Sequence, residues 1–272
     1  MAKINVLRDT GTAKPRSEAR ETILFLVKLV LVVLIFRSFV LSPFSIPSES
    51  MLPRLFIGDY LFVSKWNYGY TRHSLPFGIP LIPGRIFARD PLRGDVVVFR
   101  GPPGDDVDVI KRVIGLPGDT IQMRHGQVFL NGTPIPKQRV ADFTIPITPN
   151  YTCDAQFQDV DAAGKPICRY QQFRETLPGG KSYMVLDRGD YPSADDTDVY
   201  SVPAGDIFVM GDNRDDSADS RFAPPHGMGY VPIERVEGKA VVSFFSTDGS
   251  ANWFLPWTWF SAARWKRIGE GF

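Results

Sequence analysis

Residues 22–59 read TILFLVKLVLVVLIFRSFVLSPFSIPSESMLPRLFIGD, an apolar run at 22–41 followed closely by Ser50 in Ile46-Pro47-Ser48-Glu49-Ser50-Met51-Leu52-Pro53. The run has the roughly 20 residues that a helix needs to cross a hydrocarbon layer about 30 Å thick, and only Lys28 and Arg37 interrupt it. Lys28 reads as a tolerated charge that snorkels or faces a partner. The first twenty residues hold Lys3, Arg8, Lys14, Arg16 and Arg20 against Asp9 and Glu18, whereas residues 42–58 hold only Glu49 and Arg54. The positive-inside bias then leaves the N-terminus in the cytoplasm and exports the rest. Residues 1–21 are thus expected to be a cytoplasmic tail and 22–41 a transmembrane anchor. A cleavable signal peptide begins the same way. Against it, the apolar stretch exceeds the usual length, and Phe44 and Ile46 are poor neighbours for a small-x-small cut.

Beyond Pro43 the apolar residues come in short β-rich runs at 60–63, 95–99, 107–114, 120–130, 206–210 and 239–245. Turn pairs such as Gly58-Asp59, Gly94-Asp95 and Gly205-Asp206 separate them, the pattern of antiparallel hairpins. The expected fold is mostly β: an antiparallel sheet core at 42–130 and 206–272, tethered by one N-terminal transmembrane helix. Proline, glycine, aspartate and glutamine rise between 131 and 205 and strand-like runs thin out, which reads as an inserted subdomain. It carries both cysteines, Cys153 and Cys168. In an exported domain these can pair, and closing a loop of that length would contribute roughly 3 kcal/mol; two free thiols are the alternative. Two cysteines without nearby histidines make no zinc site. Net charge is +1, which gives no nucleic-acid surface. The stretch WFLPWTWFSAARW at 253–265, followed by Lys266 and Arg267, is too short to span a bilayer. It suits the headgroup region, or packs on the protein's own core.

Ser50 is a weak nucleophile unless a base takes its proton. The histidines, His73, His125 and His226, stand in no segment resembling a serine-hydrolase arrangement, and the G-x-S-x-G nucleophile elbow is absent. Lys111, in DVDVIKRVI at 106–114, is a better base. On a strand, Val107, Val109, Lys111 and Val113 share one face. Burial there would disfavour the ammonium and free the lone pair that must accept the serine proton. The plainer reading makes Lys111 and Arg112 surface cations on an edge strand. The carboxylates among 212–216 lack the order of a calcium loop and read as turn formers.

Taken together, IPSESMLPRLFIGD at 46–59, RGDVVVF at 93–99, DVIKRVIGLPGD at 108–119 and GDNRDDSADSRF at 211–222 closely resemble, in order, the signature boxes of bacterial type I signal peptidases. The resemblance covers the anchor and most of the β core, not the insert or the termini. It implies that Ser50 is the nucleophile and Lys111 the general base of a Ser-Lys dyad. Ser48 would lend its hydroxyl to the oxyanion hole beside the Ser50 N–H, Ser217 would orient the lysine, and Asp219 with Arg221 would form a supporting ion pair. Phe44, Ile46, Leu55, Leu61, Val98 and Ile110 match residues that line two shallow pockets for an A-x-A-like site. Arg54 stands where that family commonly has threonine. The resemblance further implies an enzyme without metal or organic cofactor that acts on signal-peptide-bearing pre-proteins. It would be monomeric, single-pass in the inner membrane, with its catalytic domain in the periplasm. Two rivals stay open: a specialised Ser-Lys peptidase of a secretion or conjugation system, and a non-catalytic membrane-tethered β domain that binds exported proteins.

Overall fold

The computed structural model describes residues 18–75, 78–104, 107–252 and 254–272; the basic cluster before residue 18 (Arg20 apart) and Trp253 lie outside them. Helix α1 spans Glu18–Phe39, with Glu18 and Glu21 in its first turn, where carboxylates favour the helix dipole. It starts before the apolar run and stops short of residue 41, because Leu41 already pairs with Ser64 as sheet. At about 1.5 Å per residue it is long enough to cross a bilayer, its mean hydropathy reaches 2.4 over an 18-residue window, and only Ser38 is buried. An exposed helix that is apolar all round is suited to lipid.

The strands, in chain order, are β1 Leu41–Ser45, β2 Asp59–Ser64, β3 Val96–Arg100, β4 Asp108–Gly115, β5 Thr120–Arg124, β6 Gln127–Leu130, β7 Thr133–Pro134, β8 Lys137–Arg139, β9 Phe143–Pro146, β10 Gln158–Val160, β11 Pro166–Thr176, β12 Ser182–Asp187, β13 Tyr200–Ser201, β14 Asp206–Met210, β15 Val231–Pro232 and β16 Val236–Ser246. The main sheet runs β1-β2-β16-β3-β4-β14-β15, and every strand pair in it is antiparallel. β16 is bulged against both neighbours, which bends the strand and strengthens the local twist. The run at 120–130 is a hairpin rather than one strand. Its turn places His125 at φ 48° and Gly126 at φ 69°, the paired positive φ values of a two-residue type I′ connection.

Strands are not scarce between 131 and 205. β7 and β13 extend the β5–β6 hairpin into a four-stranded sheet, while β8, β9, β10 and β12 gather around the 11-residue β11. The thinning of strand signals in that stretch misled because β11 reads PICRYQQFRET, which is polar, yet buries Ile167, Cys168, Tyr170 and Glu175 on a partly alternating pattern. The two cysteines are joined, with Cα atoms 6.1 Å apart. Cys168 is fully buried beside Leu52, Ile145, Tyr151, Tyr170 and Leu186. At the C-terminal end Ala262 and Ala263 are buried, whereas Phe254, Trp257, Phe260 and Trp265 are exposed, so these aromatic rings do not pack in the protein's core.

Candidate active site

Ser50 lies on a series of tight turns after β1. The Leu52 N–H donates to the Glu49 carbonyl at 2.9 Å and the Leu55 N–H to the Met51 carbonyl at 2.9 Å. The apolar residues after Ser50 divide between two cores. Met51 and Leu55 enter one cluster with Ile46, Leu61, Val63, Val96, Val98, Ile110 and Ala240, against which Phe44 packs. Leu52 enters the cluster around the disulfide. The chain at Ser50 is therefore clamped between the main sheet and the β11 sheet. All six residues expected to line substrate pockets, Phe44, Ile46, Leu55, Leu61, Val98 and Ile110, meet in the first of these clusters.

Lys111 stands on β4 opposite Val97 of β3. Val97, Val109 and Val113 belong to an apolar cluster with Phe99, Ile207 and Val209. Lys111 and Arg112 are each only 4% exposed, so the surface-cation reading of both residues does not hold. The Lys111 Nζ donates to the Ser50 Oγ at 2.6 Å. Burial pushes the Lys111 pKa down, and Asp219, Asp212 and Asp216 only partly pull it back, leaving it at about 8. The Ser48 hydroxyl, on an exposed residue, lies 3.4 Å from the Ser50 Oγ.

The segment 211–222 closes the site from the far side. The Asn213 N–H donates to the Ser50 carbonyl at 3.1 Å. Gly211 leaves the room this requires: a Cβ there would lie 2.3 Å from the Ser217 Oγ and 2.5 Å from the Ser50 carbonyl oxygen. The Ser217 Oγ is buried without a hydrogen-bond partner among the described residues. Asp219 and Arg221 form a bidentate pair, with Nε to Oδ1 at 2.9 Å and Nη2 to Oδ2 at 3.0 Å. Burial would raise the Asp219 carboxyl, but the Arg221 guanidinium and the N–H groups of Gly211 and Arg221 outweigh it and hold the pKa below the usual range.

Part of the surrounding network escaped the sequence reading. Asp212, expected to be a turn former, is buried, and so is Arg214. The Arg112 guanidinium grips both Asp212 oxygens at 2.7 and 2.6 Å and lies 4.3 Å over the Tyr183 ring. Arg214 grips both oxygens of the fully buried Glu175 on β11 at 2.5 Å each, and the Tyr183 hydroxyl donates to the same carboxylate at 2.8 Å. Arg188 bonds Glu49 at 3.1 Å and Asp216 at 3.3 Å. The presence of Arg112, Asp212 and Arg214 inside the matched segments was a signal; for Glu175 there was none.

This chain is similar to known proteins over most of its length. The family described as signal peptidase, peptidase S26, matches residues 19–245. Signal peptidase I of Rickettsia akari (strain Hartford) is 37% identical over 234 residues, covering 83% of this chain and 79% of that protein. Signal peptidase I of Rickettsia canadensis (strain McKiel) is 37% identical over 250 residues, covering 88% and 84%. Among solved structures, a signal peptidase I from Enterococcus faecalis V583 is 25% identical, covers 56% of this chain and 97% of its own, and superposes with a TM-score of 0.29.

Proposed function

The chain belongs to the signal peptidase family, peptidase S26, and from that membership, which makes it a serine peptidase that removes signal peptides from pre-proteins, we propose that it works through a Ser50–Lys111 dyad while anchored in the inner membrane by α1. The observation that carries this reading is the buried 2.6 Å hydrogen bond from the Lys111 Nζ to the Ser50 Oγ. With its pKa lowered to about 8, a useful fraction of Lys111 is neutral near physiological pH and able to accept a proton.

Lys111 takes the Ser50 proton as the Oγ attacks the scissile carbonyl. The oxyanion that forms is met by the Ser48 hydroxyl and the Ser50 N–H, donors fixed before the charge develops; losing one such donor typically costs about 3 kcal/mol of barrier. The Lys111 ammonium then returns the proton to the departing amine, which becomes the new N-terminus of the mature protein. Water, deprotonated by Lys111, attacks the acyl carbonyl, and the Lys111 ammonium passes that proton to the departing Ser50 Oγ, which frees the signal peptide and restores the dyad. Ser217, whose buried hydroxyl meets no partner among the described residues, Lys111 included, would turn to orient the lysine, and the Asp219–Arg221 pair would hold that segment in place. The apolar cluster containing Ile46, Leu61, Val98 and Ile110 supports pockets that admit methyl groups, the demand of an A-x-A-like site.

The exported orientation is supported by the basic residues ahead of α1 and by the disulfide, which persists in an oxidising compartment. The exposed rings of Phe254, Trp257 and Phe260 suit the headgroup region. Activity as a monomer in the bilayer completes the proposal. Cleavage of a purified pre-protein bearing an A-x-A site tests it: Lys111→Ala, still folded, is expected to lose activity by about 10⁴-fold. Unchanged processing by that variant would mean that another group is the base.

A further inference from the structure

The connection between β2 and β3 carries a surface that the peptidase chemistry does not use. Its root is fastened to the end of α1. The Tyr70 hydroxyl donates to the Phe39 carbonyl at 2.9 Å, the two rings meet edge-on at 5.3 Å, and the Lys65 N–H donates to the Val40 carbonyl at 3.2 Å. Arg72 and His73 share with Arg37 and Ser38 the walls of a cavity of about 530 Å³. The connection therefore leaves the protein at the level where α1 ends.

Tyr68 turns into the core, but much of the connection's remaining apolar surface faces outward. Phe87 is 80% exposed, Leu81 75% and Leu92 67%, with Trp66 and Ile86 more than two-fifths exposed. They are held there. Tyr70 and Ile86 exchange backbone hydrogen bonds of 2.9 Å, and the Arg85 guanidinium bonds the carbonyls of Tyr68 at 2.9 Å and Val236 at 2.7 Å. Phe87 itself adopts φ 53°, a conformation strained for a bulky residue. Its backbone lies so near Gly69 that a Cβ there would be 2.5 Å from the Phe87 carbonyl oxygen. Strain that keeps a large aromatic ring out of the core points to a contact made outside it.

We propose that residues 66–75 and 78–92 form a further membrane-contacting element that beds Leu81 and Phe87 into the lipid surface beside α1, an inference that rests on reading α1 as a membrane span. Lipid is the occupant the placement favours, because the surface continues from the end of an apolar helix. Charge agrees: Arg72 and Arg89 are exposed on this connection, and Asp90 is the sole carboxylate of residues 66–92, a cationic balance that anionic headgroups attract. Helix and connection together would fix the tilt of the β core over the bilayer and so the height of Ser50 above it.

The test uses the full-length chain in vesicles of phosphatidylethanolamine and phosphatidylglycerol. The native cysteines are paired with each other, so a fluorophore can be placed on a single added thiol in Leu81→Cys, Phe87→Cys, Val30→Cys on α1, or Thr133→Cys on β7. Labels at 81 and 87 are expected to be quenched several-fold more by nitroxide-bearing lipid than the label at 133, and to be shielded from iodide. Labels at 81 and 87 that behave like the one at 133, while the label at 30 is quenched from lipid, would overturn the inference and leave the span intact. A label at 30 that iodide reaches would remove the span reading and the inference with it.

Discussion

Lys111 and Arg112 are consecutive on β4 and equally buried, yet the protein treats their charges in opposite ways. Burial disfavours both cations. Arg112 meets a carboxylate at hydrogen-bonding distance through two nitrogens, and Asp212 outweighs the loss of water, so its pKa rises. Among the described residues Lys111 meets only the neutral Ser50 hydroxyl at that range; its carboxylates act through space, and its pKa falls to about 8. Burial supplies the pressure on a charge, and the partner within reach decides whether the charge survives. One residue is thereby made a structural cation and its neighbour a base.

The sharpest way to break this comparison is to make Arg112 resemble Lys111. Asp212→Asn leaves a guanidinium buried against a neutral group, and removal of one partner of a buried pair costs about 3–5 kcal/mol. Urea unfolding in detergent is expected to show that loss. A cost under about 1 kcal/mol would mean that Arg112 is as well served without its carboxylate. Because Asp212 also favours the Lys111 ammonium, the surviving activity is expected to begin at lower pH than in the parent protein.

The converse change removes the cation that lacks a close partner. The unfolded chain holds the Lys111 proton up to its ordinary pKa of 10.5, whereas the folded chain releases it at about 8. Below pH 8 both states are protonated and the folded state bears the full cost of the buried ammonium. As pH rises toward 10.5 that cost disappears, since the folded state already holds a neutral amine. Lys111→Met is therefore expected to be more stable than the parent at pH 7, by at most about 3 kcal/mol, with the gain vanishing toward pH 10.5. A variant less stable than the parent at pH 7 would show that Lys111 is stabilised as a cation after all.

The sequence made α1, the main-sheet strands β2, β3, β4, β14 and β16, and the Ser50 and Lys111 segments legible, because each rests on local signals: a long apolar run, short β-rich runs between turn pairs, and ordered boxes. Boundaries shifted where tertiary pairing intervened, as at Leu41, drawn into β1 by Ser64. The β11 sheet was harder to see, since PICRYQQFRET carries more polar than apolar residues and its burial depends on partners at either side. The pairing of the ionic network was illegible for the same reason, although Arg112, Asp212 and Arg214 stand in the matched boxes. Arg112 and Asp212 are separated by 100 positions, and Glu175 lies in a segment outside the matched boxes. A buried cation and a surface cation look alike until the fold brings its carboxylate.

The most direct test of the unpaired, buried lysine is the pH dependence of kcat/KM on a short peptide carrying the cleavage site, measured in detergent across neutral and alkaline pH. A single rising limb with its midpoint near pH 8 is the expected result, because the free enzyme must release the Lys111 proton, held with a pKa of about 8, before Ser50 can react. A limb centred at about 6.5, in the histidine range, or one that climbs only near 10.5, the ordinary pKa of lysine, would contradict the account.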